Sequence, residues 1–151
     1  MKHHTKELLD WMGELAIIHA SGDDTHNQYC MVELYATREG SPPWHVHERE
    51  DKGIYVIEGV ITIYVGDVVH KAKAGDFVLA PKGVRHKYSV ESKGHARIMI
   101  ICSPSGIETM VRRLGKPMST MKPLTPGEED LNYEQVAAVA GEYGIHFEMH
   151  S

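Results

Sequence analysis

At 151 residues, with 42% hydrophobic and 25% charged side chains, the chain has the make-up of one globular domain with a real core, which excludes a disordered or fibrous protein. A net charge of −5 leaves no basic footprint for nucleic acid, and no apolar run approaches the roughly 20 residues of a membrane span. The start MKHHTKELLDWMGEL lacks the apolar core and small-residue cleavage site of a secretory signal, and Cys30 and Cys102 sit inside apolar runs as reduced, buried thiols, so a cytoplasmic location is expected.

In chain order, Thr5 to Met12 reads as a short helix with Thr5 as N-cap, Leu15 to Ala20 as a short apolar run, and Ser21 to Asp24 as a turn. From Gln28 to Cys102 the pattern changes. Short runs rich in Val, Ile and Tyr alternate with Gly, Pro, Asp and Lys turns: Tyr29–Thr37, Trp44–His47, Ile54–Ile57, Val60–Val65, Val68–Lys71, Phe77–Ala80, His86–Val90 and Ala96–Cys102. That spacing predicts an all-β sandwich or barrel, with Glu58-Gly59 and Gly66-Asp67 as tight hairpin turns. Beyond it, Gly106 to Leu114 reads as a short helix and Gly115 to Asp130, with three prolines, as a surface linker. Leu131 to Tyr143 reads as a helix capped by Asp130 and stopped by Gly144. The chain is thus expected to be a single domain: a barrel core over about 15–103 and a helical extension over 104–151.

Eleven histidines are present, and most sit near the termini or in polar turns and need no role: His3, His4, His26, His70, His95, His146 and His150. His45, His47 and His86 differ. His45 and His47, at i and i+2 on a strand, point to one face at roughly 6 to 7 Å along the chain, close enough to share a metal ion. A third histidine from another strand, His86, completes one face of a coordination sphere and leaves positions open for water or substrate.

The segments that carry these histidines, GSPPWHVHEREDKGIYVIEG (Gly40 to Gly59) and GDFVLAPKGVRH (Gly75 to His86), resemble the two motifs of the cupin family, a double-stranded β-helix or jelly-roll barrel. The first matches through Gly40, His45, His47 and Gly59, the second through Gly75, Pro81, Gly83 and His86. The flanks from Ser21 to Ala36 and from Pro104 to Glu108 look like single-barrel cupins related to quercetin 2,3-dioxygenases. The resemblance implies a divalent transition metal, Fe, Mn, Ni, Co or Zn, and a small organic substrate with an enol, flavonol-like or carbonyl group. It also implies an oxygen-dependent cleavage and a homodimer paired through an edge strand, the N-terminal residues or the final helix. A cupin isomerase or cyclase uses the same barrel.

Two positions depart from the pattern. Val90 stands where the second motif has Asn. Lys52 stands where the family holds its metal with Glu, and a cation beside a dication is unfavourable. Three readings follow: the three histidines bind the metal alone, with Lys52 or Glu50 handling a proton; Asp51 shifts in as the carboxylate ligand; or Lys52 evicts the metal and the barrel binds a small organic anion without catalysis. Trp44, Tyr55 and Tyr88 are the expected substrate contacts, within a wall that also takes in Val32, Leu34, Ile57, Phe77, Met99 and Ile101. Arg85 is expected to point away from the barrel.

Overall fold

Alternating side chains from residue 7 to residue 103 build ten strands of two facing antiparallel sheets; the computed structural model describes residues 6–38, 40–121 and 133–148. The strands are β1 (Glu7–Trp11), β2 (Glu14–Ala20), β3 (Cys30–Ala36), β4 (His45–His47), β5 (Asp51–Glu58), β6 (Val60–Val65), β7 (Val68–Lys73), β8 (Phe77–Ala80), β9 (His86–Val90) and β10 (Ala96–Ser103). Added to them are α1 (Gly22–Thr25), α2 (Ile107–Leu114), β11 (Lys116–Pro117), α3 (Tyr133–Glu142) and β12 (Ile145–Phe147). One sheet runs β11-β1-β2-β3-β10-β5-β8, the other β12-β4-β9-β6-β7. Their inner faces meet in a core of Ile18, Val32, Ile54, Ile61, Ile63 and Ile98, each almost fully buried. No helix among the described residues is long and apolar enough to cross a membrane.

The N-terminal segment is the main correction. Its Glu, Leu and Leu suit a helix, but Glu7–Trp11 forms β1, paired with β2 from Glu7↔Ile18 to Trp11↔Glu14. Met12 (φ 52°) and Gly13 (φ 85°) make the two-residue turn with both central residues at positive φ, which suits the twist of a hairpin. Pairing with a strand that is buried almost throughout outweighs a weak helix preference. The proposed cap Thr5 lies outside the described residues. Gly66-Asp67 is the expected hairpin turn, joining β6 to β7 through the pair Val65↔Val68. Glu58-Gly59 is not a hairpin: β5 and β6 belong to different sheets, and Gly59 (φ 92°) turns the chain from one to the other against Ala96. The Ser21–Asp24 turn is a single helical turn closed by a capping box between Ser21 and Asp24.

Beyond the barrel, α2 and α3 occupy their expected places, and Gly144 (φ 75°) ends the second helical stretch. Asp130 and residues 122–130 of the expected linker lie outside the described residues, whereas its start pairs with β1 as β11. The unexpected element is β12, which pairs with β4 from Ile145↔His47 to Phe147↔His45. One buried carboxylate ties the extension to the barrel. Glu108, 2% exposed, accepts the Gly22 and Gly106 N–H groups, each at 2.6 Å. Glu108→Ala strands the buried Gly22 donor and the half-buried Gly106 donor, and urea denaturation is expected to show a loss of about 3 kcal/mol.

Candidate metal and substrate site

The histidines come together because β4 and β9 are neighbours whose shared register pair is His45↔His86. Alternation then places His47 on the same inward face. The ring centroids lie 4.3 Å (His45–His86), 5.2 Å (His47–His86) and 5.3 Å (His45–His47) apart. One ligand nitrogen from each lies within 4.8 Å of the other two, and all three residues are buried.

Each ring is anchored from behind through Nδ1. His45 Nδ1 meets the Pro43 carbonyl at 2.9 Å and His86 Nδ1 the Val84 carbonyl at 3.1 Å. A carbonyl only accepts, so both rings carry their proton on Nδ1 and present a bare Nε2. His47 Nδ1 sits 2.7 Å from the Glu50 carboxylate, which imposes the same tautomer when Glu50 is ionised. With Glu50 ionised, all three rings therefore offer a bare Nε2 within one cluster. His86 Nε2 is buried and has no hydrogen-bond partner.

Lys52 enters this cluster from β5. It is 5% exposed, and its Nζ lies 3.4 Å from His45 Nε2, a long and weak hydrogen bond. Burial pushes the Lys52 amine below its ordinary value, with Cys102 and Glu50 opposing. Burial first and the Lys52 cation second hold His47 and His86 down at about 2, and the same two causes hold His45 well below the usual imidazole range. Burial raises Glu50 to about 7 against the pull of Lys52 and Arg49. The imidazoles are therefore neutral ligands across the physiological range.

These donors fit a divalent transition metal: three preset nitrogen lone pairs, carboxylate support behind one, and an orphaned buried Nε2. Lys52 is the one group that fits it poorly while charged. Glu50 reaches His47 from behind rather than facing the cluster with its own oxygens. Glu50→Gln is expected to lower metal affinity roughly 10- to 100-fold, measured by competition with a chelator, because the amide no longer fixes the His47 tautomer by charge.

The other expected site residues separate by strand parity. Asp51 precedes Lys52 on β5 and so faces outward, where it is exposed and accepts the Lys82 N–H at 2.8 Å; it stands apart from the histidines. Tyr55, three residues from Lys52, also faces outward and is 41% exposed. Trp44 precedes His45 and lies on the outer face, under the Arg85 guanidinium at 3.8 Å and edge-on to Tyr64. Arg85 points outward as expected and pairs with Glu148 at 2.7 Å. Tyr88, two residues from His86, does line the cavity. So do Val32 and Leu34, whereas Phe77 is 56% exposed, and on β10 the inward residues are Ile98, Ile100 and Cys102 rather than Met99 and Ile101.

The cavity wall is otherwise apolar, and much of it comes from outside the two motifs. Ile107, Met110 and Val111 of α2, Ile145 and Phe147 of β12, and Trp11 and Met12 of the first hairpin all line it. Phe147 lies 5.4 Å from the His45 ring. Glu14 is the one further charged residue of the lining; its carboxylate accepts the Thr37 N–H at 2.5 Å. Sequence reasoning missed Glu14 and Phe147. The alternation of Ile145 and Phe147 after Gly144 was the available signal for the latter.

Residues 31–102 match the cupin domain model Cupin_2. Quercetin 2,3-dioxygenase from Bacillus subtilis is 22% identical over 134 residues, which is 89% of this chain but 40% of that protein, so the chain spans well under half of the curated relative's length. Among solved structures, an RmlC-like cupin from Shewanella frigidimarina superposes with a TM-score of 0.58 at 18% identity, covering 72% of this chain and 96% of that one. KdgF from Halomonas sp. gives 0.57 at 21%, covering 64% and 85%. The Streptomyces nucleoside dehydratase Pac13 gives 0.57 at 16%, covering 85% and 97%. At these identities the structural likenesses establish the shared barrel fold and nothing finer.

Proposed function

Because the chain carries a cupin domain and belongs to the cupin superfamily, we propose that it is a metal-dependent enzyme acting on a small organic substrate with an enol or carbonyl oxygen. The observation that carries this reading is His86 Nε2, a buried nitrogen without a partner in a cluster with His45 and His47. Fe, Mn, Ni, Co and Zn all accept imidazole ligands. Such an ion, held by the three histidines, supplies Lewis-acid polarisation of a bound substrate oxygen.

The rest is the work of side chains. Glu50 keeps the His47 lone pair turned inward. Lys52, its amine depressed by burial, exchanges a proton with the substrate oxygen beside the histidines. The apolar wall from α2 and β12 orients the hydrocarbon part of the substrate and keeps bulk water out. The likeness to quercetin 2,3-dioxygenase favours an oxygen-dependent cleavage over an isomerase or cyclase reaction.

A second reading has a specific observation in its favour. Lys52 Nζ already approaches His45 Nε2, so a protonated Lys52 could hold the place of the ion and bind a small organic anion without metal or catalysis. Metal content of tag-free protein by plasma mass spectrometry separates the two, followed by oxygen uptake with a panel of flavonols and enols. Near one transition metal per chain, with oxygen uptake, supports the enzyme. Protein that stays metal-free after incubation with each ion moves the function to anion binding.

A further inference from the structure

Lys52 and Glu14 are the charged side chains, histidines aside, that line the cavity among the described residues, and they stand at opposite ends of it. Lys52 lies at the histidine end, 3.4 Å from His45 Nε2. Strand direction places Glu14 at the other. β4 and β9 are antiparallel with His45↔His86 as their pair, so the chain entering His45 from Gly40 runs the same way as β9 leaving His86 for Tyr88. A Cβ on Gly40 would stand 2.6 Å from the carboxyl carbon and Oε2 of Glu14, so Glu14 belongs to the Gly40 and Tyr88 end. Its charge helps to raise the Tyr88 phenol, with burial as the larger cause. Two residues of strand separate His86 from Tyr88 by about 7 Å, which puts the acidic end on the order of 10 Å from the histidines. The wall between the ends is apolar. Val32 and Leu34 step along β3 towards Glu14, paired with Ile18 and Ala16 of its own strand.

Glu14 is 3% exposed and held in one orientation. Thr37 donates its N–H (2.5 Å) and its hydroxyl (3.2 Å) to Glu14 Oε2, and the Thr37 hydroxyl oxygen accepts the Gly40 N–H at 3.0 Å. Gly40 has no side chain to hold the loop off this carboxyl group. Anchoring that loop accounts for the contacts on Oε2, which use about two of the roughly four acceptor sites of a carboxylate. It does not account for a carboxylate in the wall of an otherwise apolar cavity, where burying the charge is costly unless a donor meets it.

We propose that Glu14 sets substrate specificity: its carboxylate accepts the hydrogen of a hydroxyl group that the substrate carries on the order of 10 Å from the enol or carbonyl oxygen held at the histidine end. The substrate class is then a hydroxylated aromatic enol, with an oxygen at each end and a hydrocarbon middle against Val32 and Leu34. A hydroxyl suits the site better than an ammonium group, because Lys52, and any bound dication, already supply positive charge to the same cavity. A site built to hydrogen-bond a hydroxyl rejects the analogue that lacks it, since the buried acceptor is left without that donor. The inference rests on reading this cavity as the substrate site, and it holds with or without a metal.

The test is calorimetric titration of the full chain, with and without added metal, using a matched set of probes. They are unsubstituted flavonol and its analogues with a hydroxyl, a methoxy or an aminomethyl group at the para position of the pendant phenyl ring. The wild type is expected to bind the hydroxyl analogue roughly 10- to 100-fold more tightly than flavonol, the range of one hydrogen bond to a charged group. The methoxy analogue has no hydrogen to donate and gains nothing. Glu14→Leu is expected to bring the hydroxyl-to-flavonol ratio to about one with the affinity for flavonol itself kept, because only the donor's partner is gone. Glu14→Gln keeps the shape and an acceptor for Thr37, and is expected to fall between the two because a neutral acceptor is weaker. A purely structural Glu14 would instead weaken all the probes alike and leave the ratio unchanged. Equal affinities for the pair in the wild type overturn the proposal, as does a ratio that survives both substitutions or an aminomethyl analogue that binds tighter than the hydroxyl one. Failure of every probe to bind overturns the substrate class of the proposed function as well. A preserved ratio with no response to metal counts against the metal-dependent reading alone.

Discussion

His86→Ala abolishes tight metal binding. The variant removes one of three convergent Nε2 donors, and two imidazoles on one strand leave an ion without the third face contact. A loss well beyond the 10- to 100-fold typical of a supporting residue is expected, so the Glu50→Gln variant serves as the internal scale. His86→Leu separates metal binding from folding. Filling the space with an apolar side chain removes the orphaned buried nitrogen, and the metal-free variant is expected to be more stable than wild type by about 1 kcal/mol or more. Its response to acid is also diagnostic. In the folded chain His86 is held at about 2 against an unfolded value near 6.5, so its neutral form contributes stability above about pH 6.5 that is lost as pH falls from there towards 2. The thermal midpoint of the metal-free wild type is expected to drop steadily over that window, and more shallowly for His86→Leu. Equal metal affinity in His86→Ala and wild type would end the three-histidine assignment.

Lys52→Glu is expected to raise metal affinity by two or more orders of magnitude. At about 4 Å and an effective dielectric near 20, one unit charge acts on another with about 4 kcal/mol, and a dication doubles it. The substitution removes that repulsion and adds an oxygen donor on the side of the cluster that Lys52 occupies. Lys52→Met removes only the repulsion and should fall between the two proteins. Turnover is expected to move the opposite way, falling roughly 100-fold or more in both variants despite fuller metal occupancy, because the group that exchanges the substrate proton is gone. Calorimetric titration of metal into the three proteins, with oxygen uptake measured alongside, checks both halves. An affinity unchanged across the series would mean that Lys52 is neutral or turned away from the ion.

Much of the site was legible from period alone. His45 and His47 share a face because side chains alternate along a strand, and Gly59, Gly75 and Gly83, all at positive φ, mark turns that glycine makes at little cost. The same rule, carried a few residues further, turns Asp51, Trp44 and Tyr55 outward once Lys52 and His45 face inward: Asp51 enters the cluster only through a one-residue shift that the register of β5 does not make, and Trp44 and Tyr55 fall on the opposite parity. Glu50 is different. It lies in the three-residue connection between β4 and β5, where no period applies, and its closeness to His47 Nδ1 depends on how that loop closes.

What the sequence determined by itself is therefore local: a β-rich barrel, three histidines on inward positions, and a lysine where the cupin motif has a carboxylate. Register between distant strands is not local, and it decided the rest. The pair His45↔His86 joins positions some forty residues apart, β12 arrives from much later in the chain to pair with the histidine strand, and α2 lines the cavity. Whether Lys52 faces the ion's place or the solvent follows from the pairing of β5 between β10 and β8, which turns its side chain into the core. Burial there depresses its amine, and burial is a property of the assembled sheets that no segment possesses alone.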